Sequence, residues 1–494
     1  MITSVVVFTK TKRVIEMRKF KIRWLLFIVL FFLVYLIAGA VGPFVHHKKV
    51  SEETKKNFSV SNCYRDHTGV DRAMLLETNK SAWDERIRLF HQAKERIILS
   101  TFDMRDGKST RDLLAVLYHR AEEGIKIQIL VDGVSGTIRL EGNELFYALS
   151  SHPNVEIKIY NKLNLAMPWK TQGRMHDKYV IVDEMAYILG GRNTFDYFIG
   201  DYPNKNMSYD REVLIYNTNP MQRGEDESSL YQVEAYFSRM WDKKECRLFH
   251  DQENLREDDK VKSMIDMLTK RYEKLKKENP DLFKDCDYGE MTCETNKVTL
   301  LSNPTGIYGK EPVVFYELSE LMKQAKDRVI IHTPYVVLNG YMKRELAEIA
   351  GQVPDSRMVI NSVENGDNFM ASSDYLYRKK GVYNTGVSIL EYDGGVSYHG
   401  KSVVIDDDMS IIGSYNMDLR STYVDTELML AVQSRELTDE LTGYMEAMEK
   451  ECRTVTGPDT YKVPEHIQVE EIPFWKKAAM RVVGLIMQPF RCMV

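Results

Sequence analysis

The stretch MHDKYVIVD, residues 175–183, recurs 223 positions later as YHGKSVVID, residues 398–406. In both copies a histidine and a lysine stand two positions apart, an apolar run follows, and an aspartate ends the run. Short β-branched apolar runs of this kind predict buried strands. Because side-chain direction alternates along a strand, the histidine and lysine of each copy are expected on the same face. Each copy therefore predicts an imidazole and an ammonium group in one pocket.

The repetition extends on both sides of this stretch. At the same shift GGRN, residues 190–193, matches GSYN, residues 413–416. At a shift of 232, AKERIILST at 93–101 resembles AKDRVIIHT at 325–333. Each copy then reaches an Asp-x-Glu before an apolar strand, DREVLI at 210–215 and DTELML at 425–430. Because strands alternate with helix-favouring stretches, the sequence predicts an α/β fold made of two sandwich halves related by a pseudo-twofold axis.

The length of 494 residues is too great for one ordinary domain and is consistent with this duplication. We expect seven segments: a basic leader at 1–23, a transmembrane segment at 24–45, a linker at 46–79, a first half at 80–245, a charged helical insertion at 246–295, a second half at 296–456 and a tail at 457–494. Within the insertion, residues 251–278 are expected to be a solvated or packing helix. Within the tail, residues 474–487 predict an amphipathic helix that lies on anionic lipid or docks on the domain.

The N-terminal segment has the composition of a membrane anchor. No charged side chain occurs from residue 24 to residue 45, whereas residues 1–23 hold seven lysines and arginines and one acid. This pattern favours a single-pass helix with the N-terminus in the cytoplasm and the catalytic part outside the cell membrane. The alternatives are a signal peptide cleaved near the AGA at 38–40, and a buried core helix. Met17 is a possible second start site.

Charge and cysteine content restrict the function classes. The leader carries a net charge of +6 within a total of −5, so the remaining chain carries −11, which disfavours a nucleic-acid partner. The six cysteines include no CxxC pair, and the sequence predicts neither a metal site nor a cofactor. Cys286 and Cys293 are close enough for a local disulfide, but buried free thiols fit equally well.

Two histidines, two lysines and two asparagines without a metal-ligand set are suited to phosphodiester transfer. One imidazole attacks phosphorus to form a phosphohistidine, and the other acts as general acid and then as general base. Lysine and amide groups stabilise the phosphoryl oxygens, and a carboxylate orients each imidazole. The candidates are the catalytic motif residues His176, Lys178, Asp183, His399, Lys401 and Asp406, the phosphate-binding Lys178, Lys401, Asn193 and Asn416, and the histidine-orienting Glu212 and Glu427. Asp183 and Asp406 are expected to hold the lysine or the local backbone.

The paired HxKxxxxD motifs with GGxN and GSxN resemble the signature of the phospholipase D superfamily, over about residues 80–455. TPY at 333–335, GSYNMDLRS at 413–421 and YFSRMW at 236–241 are similar to elements of bacterial cardiolipin synthases. The resemblance implies a phosphatidyl group carried on His176, with His399 as acid and base. It also implies phosphatidylglycerol as donor and acceptor, with cardiolipin and glycerol as products. One N-terminal span, where those enzymes typically have two, and the long charged insertion depart from the family pattern.

Three other functions compete with this interpretation. A phospholipase D that uses water as acceptor would form the same covalent intermediate and release phosphatidic acid. A nuclease of the same superfamily is disfavoured by the anchor, the acidic body and the apolar C-terminal helix. A non-enzymatic binding module would be favoured if either motif lacked its histidine or lysine, and both motifs are intact. The expected partners are therefore phospholipids and a membrane.

Overall fold

The computed structural model describes residues 2–204, 207–224, 226–469 and 472–494. Twenty strands are described: β1 Asp71–Leu76, β2 Arg96–Thr101, β3 Lys126–Asp132, β4 Val155–Tyr160, β5 Tyr179–Val182, β6 Ala186–Gly190, β7 Ser208–Tyr209, β8 Glu212–Asn217, β9 Cys246–Leu248, β10 Cys293–Glu294, β11 Lys297–Ser302, β12 Arg328–His332, β13 Asp355–Asn361, β14 Ser388–Tyr392, β15 Ser397–Tyr398, β16 Lys401–Ile405, β17 Met409–Gly413, β18 Leu428–Gln433, β19 Cys452–Gly457 and β20 Thr460–Lys462. The α-helices are α1 Ile2–Val41, α2 Glu52–Asn57, α3 Asn79–Gln92, α4 Lys108–Glu122, α5 Gly133–Ser135, α6 Glu144–Ser150, α7 Leu230–Trp241, α8 Asp259–Glu278, α9 Tyr288–Met291, α10 Val313–Met322, α11 Gly340–Gln352, α12 Phe369–Tyr383, α13 Leu419–Tyr423, α14 Arg435–Glu449 and α15 Phe474–Ile486.

Two nine-stranded sheets repeat one topology. The first has the order β10-β1-β8-β6-β5-β2-β3-β4-β9 and the second β11-β18-β17-β16-β12-β13-β14-β19-β20. Strands β2, β3 and β4 run parallel, as do β12, β13 and β14, while the strands on either side are antiparallel. The motif strands occupy equivalent places, since Val180 pairs with Leu99 and Val403 pairs with Ile331. The duplicated α/β fold expected from the sequence is confirmed.

Alternation along the motif strand divides its side chains between two cores. In β5, Val180 and Val182 pack with the helices of the first half, whereas Ile181 belongs to a cluster shared by both halves. Val404 of β16 contributes to the same shared cluster. The sheets are therefore joined by a continuous apolar interface, which holds the two motif strands in fixed relative positions.

The charged insertion forms a 20-residue helix, α8, that packs on the first half. Its buried side chains, Val261, Leu268, Tyr272 and Leu275, join the first-half core, and Arg271 pairs with Asp112 of α4 at 2.7 Å. The opposite face is charged and exposed. The helix is amphipathic, as its sequence indicates.

Among the described residues one helical segment, Met17–Phe44, is long and apolar enough to cross a membrane. Its apolar side chains are exposed to the surroundings of the molecule, so the alternative of a buried core helix is wrong. Its C-terminal part contacts the body. Tyr35 Oη donates to the carbonyl oxygen of Ala166 at 2.7 Å, and Val41 and Phe44 are buried in the second-half core.

The C-terminal helix α15 has one packed and one exposed face. Met480 and Gly484 are buried, and a side chain at Gly484 would meet the backbone of Ser373 in α12. Phe474 and Trp475 are 87% and 71% exposed. All six cysteines are described and none forms a disulfide, so the free-thiol alternative applies to Cys286 and Cys293.

Candidate active site

Both histidines stand where the two halves exchange backbone hydrogen bonds. The N–H of His176 donates to the carbonyl oxygen of Thr426 at 3.3 Å, and the N–H of His399 donates to that of Tyr209 at 2.6 Å. Strands β7 and β15 pair in parallel beside the second contact. Each half therefore supplies one His-Lys pair, and the two pairs meet at the interface between the halves.

Each imidazole is held by a carboxylate of the opposite half. Nδ1 of His176 lies 2.9 Å from Oε1 of Glu427, and Nδ1 of His399 lies 2.8 Å from Oδ2 of Asp210. A hydrogen bond at Nδ1 fixes the ring orientation and leaves Nε2 for chemistry. At His399, Nζ of Lys401 also lies 2.6 Å from Nδ1 and 3.2 Å from Nε2. The edges of Phe102 and Phe198 contact the rings of His176 and His399, with ring centroids 5.2 and 5.1 Å apart.

Glu212 does not occupy the position expected from the sequence. Its carboxylate accepts two hydrogen bonds of 2.7 Å from the buried guanidinium of Arg86. The reason lies in the strand register: Gly190 pairs with Glu212, whereas its repeat equivalent Gly413 pairs with Met429. Counted along the sheet, the residue equivalent to Glu427 is thus Asp210, two positions from the sequence match. The Asp-x-Glu repetition is correct as a sequence pattern but misaligned by two residues as a structural repeat.

Asp183 and Asp406 lie at the other end of the motif strands and act on the backbone. The Asp183 carboxylate accepts from the N–H groups of residues 94, 95 and 96 at 2.7, 2.9 and 2.8 Å. Asp406 accepts in the same way from residues 326, 327 and 328. Both aspartates have φ near +50°, a conformation that aspartate tolerates better than most residues. Of the two roles expected, holding the lysine or holding the local backbone, the hydrogen bonds of both carboxylates fit the second.

The motif lysines are buried beside the histidines. Nζ of Lys178 donates to the carbonyl oxygen of His176, and Nζ of Lys401 donates to that of His399. Each lysine is only 1% exposed. Burial lowers the pKa of Lys178 to about 8 against the opposing effect of Glu427, and burial also lowers the pKa of Lys401. The charge of Lys401 also lowers the pKa of Lys178, so the two His-Lys pairs are close enough to interact electrostatically.

The two asparagines each make one side-chain hydrogen bond among those described. Oδ1 of Asn193 accepts from the N–H of Asp103 at 3.2 Å, and Nδ2 of Asn416 donates to Oη of Tyr335 at 3.3 Å. Oδ1 of Asn416 is buried and has no partner among the described residues. An unsatisfied buried amide oxygen indicates a place for a donor from outside the chain.

The two histidine-carboxylate pairs differ in electrostatics. Burial raises the pKa of Glu427 to about 8, although Lys178 and hydrogen bonds from Ser414 and Ser421 oppose the rise. Burial also acts on Asp210, but Lys401 and the hydrogen bond to His399 outweigh it and hold the pKa of Asp210 well below its usual range. Burial lowers the pKa of both imidazoles, and the bond to Asp210 opposes this only at His399. The site therefore favours a neutral His176 and an ionised partner for His399.

Sequence reasoning missed several residues that support the site. Ser414 and Ser421 donate to the carboxylate of Glu427 at 2.5 and 2.6 Å, and they fix its position. Their signal lay in the GSYNMDLRS run, which was interpreted only as a family resemblance. The signal for Asp210 was weaker. A Cβ at Gly191 would come within 2.4 Å of Oδ1 of Asp210, so residue 191 must be glycine, whereas the matching residue of the second half is Ser414.

A cavity of about 830 Å³ opens between the halves, and its lining includes Ser397, two positions before His399. Residues of both halves line it, including Phe195 and Tyr197 from the first and Asn365 and Ser397 from the second. Asp367, whose charge opposes the lowering of the pKa of His399 and Lys401 by burial, lies on its wall. In the described part of the chain no group of three His, Cys, Asp or Glu residues is arranged to hold a metal ion.

Comparison with known proteins shows which family the region around the two motifs matches. The family model described as cardiolipin synthase, PLD-like domain, matches residues 87–241 and 318–449, which is more than half of the chain. Cardiolipin synthase C of Escherichia coli strain K12 is 24% identical over 408 residues, covering 75% of this chain and 83% of its own. Cardiolipin synthase A of Pseudomonas putida strain KT2440 is 22% identical over 392 residues, covering 79% and 70%. The crystal structure of phosphatidylserine synthase from Haemophilus influenzae Rd KW20 superimposes with a TM-score of 0.61 at 14% identity, covering 90% of this chain and all of that one, and shows the same fold.

Proposed function

We propose a reaction for this chain, which belongs to the cardiolipin synthase, PLD-like domain family. It is a membrane-anchored phosphatidyltransferase that makes cardiolipin and glycerol from two molecules of phosphatidylglycerol. The observation that carries the proposal is the pair of histidines, each oriented by a carboxylate of the opposite half and accompanied by a buried lysine. A covalent phosphodiester exchange needs these groups in one site.

In the first step Nε2 of His176 attacks phosphorus of the donor lipid. The new N–P bond forms as the bond from phosphorus to the glycerol oxygen breaks, and His399 gives its proton to that oxygen. A neutral imidazole is needed for attack, and burial lowers the pKa of His176 well below its ordinary value. A phosphate bound between the rings brings negative charge next to His399, which favours its protonated form.

In the second step the hydroxyl of the acceptor headgroup attacks the phosphohistidine. His399 takes the hydroxyl proton, the new P–O bond forms, and the N–P bond to His176 breaks, which restores both histidines. Lys178 and Lys401 supply positive charge to the phosphoryl oxygens, while Asn193 and Asn416 supply amide hydrogen bonds. The unpartnered Oδ1 of Asn416 would accept from a substrate hydroxyl.

The cavity between the halves supports a headgroup that bears hydroxyl groups. Its wall carries five carboxylates, those of Asp106, Asp196, Glu364, Asp367 and Asp393. Carboxylates accept hydrogen bonds from glycerol hydroxyls and repel a second phosphate, so the glycerol end of the acceptor fits this side of the site. With the N-terminus in the cytoplasm, as the basic leader favours, the site would work on the outer leaflet of the cell membrane.

Incubation of the full-length protein with phosphatidylglycerol vesicles, followed by separation of the lipid products, tests the proposal. We expect cardiolipin and glycerol in equal amounts, no product from His176→Ala, and no turnover but some trapped phosphatidyl-enzyme from His399→Ala. Phosphatidic acid as the main product would identify a hydrolase instead. Near-normal turnover by either histidine variant would refute the two-histidine mechanism.

A further inference from the structure

A second cavity, of about 580 Å³, lies directly after the N-terminal helix and away from the histidines. The segment that leaves the helix supplies His47, Lys48 and Lys49, and α11 supplies Arg344. Tyr423, the last residue of α13, lies on the inner wall. Neither the family resemblance nor the proposed reaction uses any of these side chains.

The lining of this cavity is basic in a chain whose body is acidic. Five lysine and arginine side chains face two carboxylates, those of Glu320 and Glu345. Lys323 pairs with both, at 3.1 and 2.6 Å, and also with Glu348 at 3.3 Å. Within the part of the chain that the structure describes, Lys48, Lys49 and Arg344 have no carboxylate within 4.0 Å, and all three are exposed. Three exposed cations without a carboxylate partner at this distance indicate an anionic ligand.

The position of the cavity indicates where that anion comes from. The apolar segment ends at Phe44, which is buried in the second-half core, and the cavity begins three residues later at His47. The end of the helix is thus fixed against the body, and the lysines lie at the level where the helix leaves the bilayer. Basic side chains at this level are attracted to anionic phospholipid headgroups.

We propose that this cavity binds the phosphate of an anionic phospholipid as a second site, distinct from the catalytic one. Lys48, Lys49 and Arg344 hold the phosphate oxygens, and the rings of Tyr316 and Tyr341 contact the glycerol backbone at the membrane interface. The inference goes beyond the proposed transfer reaction and depends only on the anchor lying in a membrane.

A ligand in this cavity would contact the helix that supports the catalytic centre. His47 stacks on Tyr423 with ring centroids 4.2 Å apart, and Nδ2 of Asn339 donates to Oη of Tyr423 at 2.8 Å. Two residues earlier in α13, Ser421 donates to Glu427, the partner of His176. Lipid bound in the cavity therefore stabilises α13 in the position that orients the nucleophile.

The test counts lipids on the full-length chain carrying His176→Ala, so that phosphatidylglycerol is not consumed. The protein is equilibrated with detergent micelles containing phosphatidylglycerol or phosphatidylcholine, and the lipids retained are counted by native mass spectrometry. Lys48→Glu/Lys49→Glu/Arg344→Glu should retain one phosphatidylglycerol fewer than the parent and bind that lipid at least about tenfold more weakly. Lys48→Gln/Lys49→Gln should show a smaller loss, and phosphatidylcholine should not occupy the site.

The matched control is Lys270→Glu/Lys274→Glu/Lys277→Glu, which makes the same change of charge on the exposed face of α8. It should retain as much phosphatidylglycerol as the parent. Equal retention by the cavity variant and this control would overturn the proposal, as would displacement of the lipid by an equal concentration of free glycerol phosphate. If the proposed reaction is wrong, the catalytic site adds no lipid to the count, but the cavity variant still loses one.

Discussion

Replacement of Asp210 by asparagine tests the crosswise arrangement of histidines and carboxylates. Asparagine keeps an oxygen where Oδ2 accepts from His399 at 2.8 Å, but removes the negative charge. The charge matters because the pKa of Asp210 is held well below its usual range, so the group is ionised throughout the physiological range. In the proposed mechanism His399 must carry a proton to release the leaving alkoxide, and the charge stabilises that form.

The expected magnitude follows from the charge separation. An imidazolium and a carboxylate with charge centres about 4 Å apart attract by about 4 kcal/mol at an effective dielectric constant of about 20. Loss of this stabilisation in the transition state lowers kcat about 10³-fold. The loss should depend on pH, because removing the carboxylate lowers the pKa of His399 and its protonated form then persists only at lower pH. The deficit of Asp210→Asn should therefore be greatest near pH 8 and smallest near pH 5.5.

The assay is release of glycerol from phosphatidylglycerol vesicles between pH 5.5 and 8.5, with Glu427→Gln as the matched control. Burial raises the pKa of Glu427 to about 8, so its carboxyl group is mostly neutral at pH 7 and its amide should cost only about tenfold. Unfolding midpoints of both variants show that each is folded. Equal losses in the two variants, or a loss in Asp210→Asn that does not vary with pH, would refute the electrostatic distinction between the two pairs.

Three further predictions concern stability and membrane contact. Asp183→Asn and Asp406→Asn should each lower the free energy of unfolding by about 1–2 kcal/mol, because each carboxylate accepts three backbone N–H bonds. Both variants should leave the kcat of the folded enzyme unchanged. Lost activity at unchanged stability would speak against this role. Trp475 is 71% exposed, so brominated anionic lipid should quench part of the tryptophan fluorescence, and Trp475→Phe should remove that part; equal quenching in both would place α15 away from lipid. A Cβ at Gly39 would come within 2.4 Å of Pro168 Cγ, so Gly39→Ala should loosen the end of the N-terminal helix and speed tryptic cleavage after Lys48. A Cβ at Gly42 would meet no atom within 4 Å, so Gly42→Ala should be cleaved at the same rate as the parent.

The sequence was sufficient to predict the fold because the decisive information is local and repeated. The constant shift of 223 and the apolar runs at 179–182 and 402–405 predict two equivalent strands, and Val180 and Val403 occupy equivalent positions in the two sheets. The histidines and lysines are two residues apart on those strands, so their proximity within each half follows from strand geometry alone.

The carboxylate partners depend on information that no local pattern contains. Asp210 and His399 are 189 residues apart and belong to different halves, so their contact requires the register of β8 on β6 and the packing of one sheet on the other. Glu212 was expected to orient a histidine because the Asp-x-Glu motif repeats, but Arg86 of α3 binds it at 2.7 Å. The buried Arg86 therefore determines the partner of Glu212, and nothing in the spacing of the motif indicates that this arginine lies opposite the strand.

The crosswise hydrogen bonds at His176 and His399 have a consequence for how this chain diverged after duplication. Each half orients the imidazole of the other half, through Glu427 and Asp210, so neither copy was a complete catalyst. A single unit of this kind could complete a site only by pairing with a second copy of itself. The two halves carry different helices and loops, such as α8, but a change at either carboxylate acts on the imidazole of the other half, so the two exchanged contacts constrain each other.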